Sequence, residues 1–221
     1  MNFTFGIITN GDNPNMETII NSIRNEKIPN YEIIIIGGVE RTGDDIIYEP
    51  FDENQRSMWI TKKKNILTNL AKYENIVYFH DYIYLMPGWY EGHLKYGDDF
   101  KVLMDRMTNT DGHRWRDWML WDLPFPEQHQ GIRRILPYDI ELSKYMYISG
   151  AYWVAKKDVM LEFPLDENRL WGQGEDVVWS QAVRKKYDFK MNIHSEVKFL
   201  KYKENVFGYA TPEDIEKMKK L

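Results

Sequence analysis

The protein has no cysteine among its 221 residues. Disulfides, thiolate metal ligands, iron–sulfur clusters and cysteine nucleophiles are excluded together, leaving oxygen and imidazole as metal donors. An excess of positive charge is missing too: 29 Lys and Arg stand against 34 Asp and Glu, a formal net charge of -5. A chain that bound by broad phosphate neutralisation would be basic, so no nucleic-acid partner is expected. No apolar run approaches the roughly 20 residues needed to cross a bilayer. The opening Met1-Asn2-Phe3-Thr4-Phe5 lacks the basic start of a secretory leader, and Gly11-Asp12-Asn13-Pro14 interrupts it before an apolar core could form. These absences predict a cytoplasmic protein without a transmembrane segment. Internal repeats and low-complexity tracts are absent as well.

What is present is the composition of a folded domain, with 43% hydrophobic and 29% charged residues. The length predicts a single domain over 1–221. Phe3 to Thr9 is a short β-rich apolar segment that ends in a polar cluster, as a buried strand does. Met16, Ile19, Ile20 and Ile23 then recur at helical spacing, and Tyr31 to Ile36 is a continuous β-branched run stopped by Gly37-Gly38. Strand, helix and strand in this order imply a right-handed βαβ unit. A second unit is predicted from a helix over Ile60 to Tyr73, with Ile60, Ile66, Leu67 and Leu70 on its apolar stripe, and a strand over Asn75 to Phe79. The fold class is therefore α/β, with a mostly parallel central sheet flanked by helices.

Further along, Trp89 to Lys95 reads as a helix and Asp105 to Gln130 as a long functional loop rich in Trp, Arg and Asp. Tyr145 to Ala155 reads as a strand with a small-residue break at Ser149-Gly150-Ala151. Lys157 to Phe163 reads as a short helix, and Trp171-Gly172-Gln173-Gly174-Glu175-Asp176 as a glycine turn leading into a helix over Val177 to Lys186. Phe189 to Ile193 and Val197 to Leu200 read as late strands, and Thr211-Pro212 is an N-cap signal for a terminal helix.

In an open parallel sheet, ligands bind outside the carboxyl ends of the strands. Thr9-Asn10, Gly37-Gly38 and His80-Asp81-Tyr82 all fall there. Asp81 can offer an oxygen to Mg2+ or Mn2+, or simply cap the following loop. Glu175-Asp176 stands between a glycine turn and a helix start, where a carboxylate can be aimed into a cleft as a base or serve as a plain N-cap. Lys62, Lys63 and Lys64 fit a solvated helix face better than a phosphate site. The aromatics from Trp115 to Phe125, with Trp153 and Trp171, offer flat faces suited to sugar rings, although core packing is the commoner use of any one Trp. His113, His129 and His194 stand alone in sequence; His194 follows the acidic helix, where a late strand could return it to a metal.

Together these segments resemble the nucleotide-sugar-dependent glycosyltransferases of the GT-A fold, especially the family-2-like group. Phe5-Gly6-Ile7-Ile8-Thr9, Glu17 to Ile23 and Pro29 to Ile36 are similar to that group's opening strand, helix and second strand. Lys64-Asn65 stands where the group often has a basic residue and Asn near the nucleotide. Tyr78-Phe79-His80-Asp81-Tyr82 with Pro87-Gly88-Trp89 resembles its metal-binding Asp-X-Asp segment, and Ser149-Gly150-Ala151 with Trp171 to Asp176 resembles its acceptor-side motifs. The likeness covers roughly two-thirds of the chain. Two positions depart from it: Gly37-Gly38 replaces the acidic residue that commonly reads the base, and the acidic triplet is reduced to the one carboxylate of Asp81.

The resemblance implies a Rossmann-like GT-A domain with a nucleotide-binding part over about 1–100 and an acceptor-binding part over about 101–221. It implies a nucleoside diphosphate sugar donor, a carbohydrate acceptor and Mn2+ or Mg2+ held by Asp81 with His194. Thr9, Lys63, Lys64 and Asp81 would contact the nucleotide, and Trp171, Gly174, Trp115 and Trp118 the acceptor. Asp176 would act as general base in an inverting transfer, with Glu175 orienting hydroxyls. Two rivals remain. A sugar-nucleotide pyrophosphorylase should carry a Gly-rich triphosphate loop near the N-terminus, and Thr9 to Asn13 is poor in glycine. A noncatalytic carbohydrate-binding protein would explain the tryptophans but not Glu175-Asp176.

Overall fold

The chain alternates strand and helix from the start, because apolar residues change from continuous runs to a 3.6-residue period and back. The computed structural model describes residues 1–120, 134–204 and 207–220. Its first half contains β1 (Phe3–Ile8), α1 (Met16–Asn25), β2 (Tyr31–Ile36), β3 (Ile46–Glu49), α2 (Ile60–Leu70), β4 (Asn75–His80), β5 (Ile83–Leu85) and α3 (Trp89–Tyr96). The second half contains β6 (Val102–Thr108), β7 (Met119–Leu120), β8 (Arg134–Ile135), β9 (Met146–Tyr147), β10 (Tyr152–Lys156), α4 (Lys157–Glu162), α5 (Glu175–Val183), β11 (Phe189–Phe199), β12 (Gly208–Tyr209) and α6 (Pro212–Lys219).

Eight strands form the main sheet in the order β3-β2-β1-β4-β10-β6-β11-β5. The expectation of a mostly parallel sheet holds for β1 to β4, which all run the same way. Beyond β4 the sheet is mixed, because β10 is antiparallel to both β4 and β6, and β5 is antiparallel to β11. Two reversals across β10 leave β6 and β11 pointing the same way as β4. The carboxyl ends of β1, β2, β4, β6 and β11 and the start of β10 therefore share one edge. A small second sheet, β12-β8-β7-β9, lies in the second half.

Every residue of β1 and β4 is buried, which accounts for their unbroken apolar runs. α1 buries Met16, Ile19, Ile20 and Ile23 as its periodicity predicts. α2 does the opposite. It buries Thr61, Lys63, Lys64, Asn65, Leu67 and Thr68, while Leu70 is exposed. Of the expected stripe only Leu67 is fully buried, seated over Gly6, where a Cβ would stand 1.9 Å from Leu67 Cδ1. The polar face turns inward because it has partners there. Asn65 exchanges two hydrogen bonds with Leu165, and Thr61 donates to the Arg169 carbonyl at 2.8 Å, so the helix holds the 165–173 loop.

The expected loop from Asp105 begins too early, since Val102–Thr108 is a central strand. The acidic residue that hid it is wholly buried but fully partnered. Asp105 accepts from Trp89 Nε1 (2.8 Å) and Asn192 Nδ2 (3.0 Å), lies 3.0 Å from His93 Nε2, and also accepts from the Tyr152 hydroxyl. The two late strands are one, β11, bulged between Asn192 and Glu196. Trp121, Phe125 and His129 lie outside the described residues. No helix among the described residues is long and apolar enough to cross a membrane.

Candidate active site

The shared strand edge opens into two adjoining cavities. The first, about 270 Å3, is lined by residues that include Thr9, Glu53, Lys63, Asp81 and Lys201. The second, about 220 Å3, is lined by residues that include Trp115, Arg116, Gly150, Glu175 and Asp176. His80, Tyr82, Trp171 and Lys203 line both, so the two are halves of one cleft. A larger hollow of about 530 Å3 beside α1 and α3 shares no residue with them. Glu26 within it is committed to capping α3, accepting from the Gly88 and Tyr90 amides.

Asp81 follows β4 directly and is fastened on both sides. Thr9 Oγ1, at the end of β1, donates to Asp81 Oδ2 at 2.8 Å, and Asn13 Nδ2 donates to the Asp81 carbonyl at 3.0 Å. Parallel pairing of β1 with β4 puts Ile8 beside His80 and so brings these two loops together. Lys63 lines the same cavity but is nearly buried, donating to the Thr9 carbonyl (2.6 Å) and to Glu53 Oε1. Lys64 lines neither cavity; it is 1% exposed, donates to the Gly150 carbonyl at 2.7 Å and lies over the Trp153 ring. Burial pushes its ammonium down to about 8, against the pull of Glu175 and Asp176.

Asp176 occupies the first turn of α5, which Gly174 opens in a left-handed conformation at φ +68. Its Oδ2 accepts from the Gly150 amide and its Oδ1 from the Val177 amide, each at 2.9 Å. Gly150 allows this approach, because a Cβ there would lie 3.0 Å from Asp176 Oδ2. Burial raises the Asp176 carboxyl above its ordinary value, opposed by the Gly150 amide and Lys64. Glu175 is raised by burial and by Asp176. A carboxylate held by two amides and poorly solvated is a competent proton acceptor.

The expected site residues thus separate into two groups. Thr9, Lys63, Asp81, Trp115, Trp171, Glu175 and Asp176 meet at the cleft. Trp171 is half exposed and lines both halves, whereas Trp115 is buried, 5% exposed, and lines the second. Trp118 is 1% exposed and donates to the Ile140 carbonyl, as a core tryptophan does. Gly174 sets the helix start without lining a cavity. His194 is exposed on the β11 bulge, its backbone carbonyl against Gly92 of α3, outside both cavities. The bulge explains the misplacement, since β11 delivers to the cleft the residues that follow it, not those in its middle.

Arg116, Lys201 and Lys203 line the cleft without having been expected there. His80 is buried and its imidazole is pushed well below its ordinary value by burial, then by Lys64, Lys203 and Lys201. Its Nδ1 lies 3.1 Å from the Tyr82 hydroxyl, and its Nε2 is buried without a partner among the described residues.

No family model matches the sequence, and no curated protein matches it. Solved structures do. TarS of S. aureus superposes with a TM-score of 0.62 at 11% identity, covering 99% of this chain and 38% of that one. The TarS 1-349 complex with UDP-GlcNAc gives the same TM-score and identity, covering 64% of that chain. GalNAc-T7, crystallised with UDP, GalNAc and Mn2+, gives 0.66 at 11% identity, over 99% of this chain and 47% of that one. The fold is that of the GT-A glycosyltransferases. This GT-A chain spans less than two-thirds of the length of each of these neighbours. Its cleft lies where the topology of an α/β sheet places a ligand, at the strands' carboxyl edge.

Proposed function

We propose that this chain is a glycosyltransferase that moves a sugar from a nucleoside diphosphate to a hydroxyl of a carbohydrate acceptor, with inversion. The observation that carries the reading is the opening of Asp81 and Asp176, 95 positions apart in sequence, into two halves of one cleft. UDP and UDP-GlcNAc bound to TarS 1-349, and UDP bound to GalNAc-T7, support a uridine diphosphate donor as the first to test.

In this reading the nucleotide lies in the Thr9–Asp81 half and the acceptor in the Asp176 half. Asp176 takes the proton of the acceptor hydroxyl as its oxygen attacks the anomeric carbon from the face opposite the leaving diphosphate. Attack from that face inverts the centre. Glu175, one residue earlier on the same helix turn, orients sugar hydroxyls. Trp171, projecting between the halves, gives the sugar ring an apolar face, and Trp115 borders the acceptor. Lys63 acts by fixing Thr9 and Glu53 around the nucleotide. Lys64 holds the Gly150 carbonyl behind the base and balances the paired carboxylates.

A divalent ion, expected at Asp81 with His194, meets an unsuitable donor set. One Asp81 oxygen already accepts from Thr9, His194 is outside the cleft, and three lysines, Lys63, Lys201 and Lys203, line the same cavity. No group of three His, Asp or Glu side chains suited to a metal exists among the described residues. The residues do not fit a resident ion, and no step above uses one.

The reading is tested by incubating the purified protein with a panel of nucleoside diphosphate sugars and following nucleoside diphosphate release, with and without oligosaccharide acceptors. Slow release without acceptor, accelerated by one of them, is the expected result. No release from any donor, together with no thermal stabilisation by any nucleoside diphosphate, would remove the proposal.

A further inference from the structure

We infer that Lys201 and Lys203 are the diphosphate site of this cleft and take the charge of the leaving group, so that transfer needs no divalent cation. The inference rests on the glycosyl-transfer reading above and assigns within it residues that the sequence motifs did not indicate.

Both lysines follow β11, whose parallel alignment with β6 delivers its carboxyl end to the ligand edge. Both ammonium groups lie over one ring, that of Tyr82, with Lys201 Nζ 4.0 Å and Lys203 Nζ 4.7 Å from its centroid. Their placement is fixed by the backbone. Leu200 donates its amide to the Tyr82 carbonyl at 2.8 Å, while Asn109 donates to the Lys203 carbonyl at 2.6 Å and accepts from its amide at 3.0 Å. Neither ammonium has a carboxylate within 4 Å among the described residues. The buried lysines of the cleft region are differently used: Lys63 has Glu53, and Lys64 has the Gly150 carbonyl.

Two like charges gathered on one ring repel each other, and Lys203, half-buried beside the exposed Lys201, also bears a solvation cost. Lys203 feels both: its ammonium is lowered first by burial, then by Lys201 and Arg116. Such an arrangement is relieved by a polyanion placed between the groups. Its position selects which anion. Lys203 is the one ammonium that lines both cavities among the described residues, between the Thr9–Asp81 half and the Asp176 half. In a nucleoside diphosphate sugar the phosphates lie between nucleoside and sugar, so this is where they must sit when the nucleoside is at Asp81 and the anomeric carbon faces Asp176.

During transfer the bond from the anomeric carbon to the β-phosphate oxygen breaks, and its electron pair stays on that oxygen. A new bond forms from the acceptor oxygen to the anomeric carbon, and the acceptor proton passes to Asp176. The added negative charge on the diphosphate falls on Lys201 and Lys203, which donate charge-assisted hydrogen bonds to it.

The test is calorimetric titration of UDP, GDP, CDP and ADP into the full chain in EDTA and in Mn2+, followed by the parent nucleoside of the tightest binder. Expected is binding in EDTA within about threefold of that in Mn2+, and donor turnover in EDTA. Lys201→Ala and Lys203→Ala should each weaken the diphosphate about 10- to 100-fold, the worth of one charge-assisted hydrogen bond, and leave the nucleoside unchanged. Lys203→Arg should restore much of the loss. Thermal melting of each variant near the wild-type temperature separates lost charge from lost folding. Diphosphate binding or turnover that requires Mn2+, or a Lys201→Ala/Lys203→Ala double variant that binds like wild type, overturns the lysine assignment while leaving the glycosyltransferase reading standing. No diphosphate binding in either buffer overturns both.

Discussion

Replacing Asp176 by Asn is the perturbation that bears most directly on the chemistry. The carboxylate uses both oxygens, accepting one amide each from Gly150 and Val177. Asn keeps the shape but offers one accepting oxygen, so its NH2 group faces one of these two donors. An unsatisfied buried donor costs about 1 to 3 kcal/mol. Part is regained because the neutral amide no longer bears the desolvation that raises the Asp176 carboxyl. A net loss of about 1 kcal/mol lowers Tm by about 2 to 4 °C in a chain of this size. Activity should fall much further. Losing a positioned general base costs about 10²- to 10⁴-fold, or about 3 to 5 kcal/mol of transition-state stabilisation. Diphosphate affinity, assigned above to Lys201 and Lys203, should stay near wild type. The assay is transfer rate against pH, with melting and calorimetry on the same preparations. In wild type the base works only when ionised, so the rate is lost as pH falls through the Asp176 pKa, which lies above the ordinary Asp value of 3.8. The residual rate of the variant should lack that acid limb. Transfer by Asp176→Asn within about threefold of wild type, or an unchanged acid limb, refutes the base assignment.

Two stability predictions follow from packing and burial. Gly6→Ala places a Cβ 1.9 Å from Leu67 Cδ1 in the middle of β1, and should cost about 1 to 3 kcal/mol by denaturant unfolding. Adding Leu67→Ala should make the Gly6→Ala step nearly neutral, and a full penalty in that background would show that the clash is not the cause. Lys64, ordinarily near 10.5, titrates at about 8 in the fold, so between these values the unfolded chain binds more protons and stability rises with pH. Lys64→Met removes this dependence. The wild type should gain on the variant by about 2 kcal/mol between about pH 8 and 9.5, and a difference that stays constant would refute the buried ammonium.

The first βαβ unit was readable because each of its apolar runs obeys one period and is bounded by glycine, proline or asparagine. The strand at Val102–Thr108 was not, because Asp105 breaks the run and its partners Trp89, His93, Tyr152 and Asn192 are far from it in sequence. The inward polar face of α2 escaped for a similar reason. Periodicity counts apolar residues, and Lys63, Lys64 and Asn65 are buried by partners that the spacing does not reveal. Asp81 and Asp176 could be picked out because a strand end and a glycine turn mark them locally. Lys201 and Lys203 had only the weak signal of a basic pair after a late strand, and its meaning depends on the direction of β11, which a single sequence does not show.

The sheet order also bears on any attempt to divide the protein. The border expected near residue 100 would separate a nucleotide part from an acceptor part along the chain, yet β10 from the later part is hydrogen-bonded to β4 from the earlier one. Among the described residues β5, from the earlier part, is paired only with β11. Expressed alone, the first hundred residues would keep β3-β2-β1-β4 with a raw edge along β4 and leave Ile83–Leu85 with no strand to join. Halves of this molecule are woven together like the fingers of two hands, so donor and acceptor specificities should be exchanged between relatives by grafting loops at the cleft, not by swapping segments of chain.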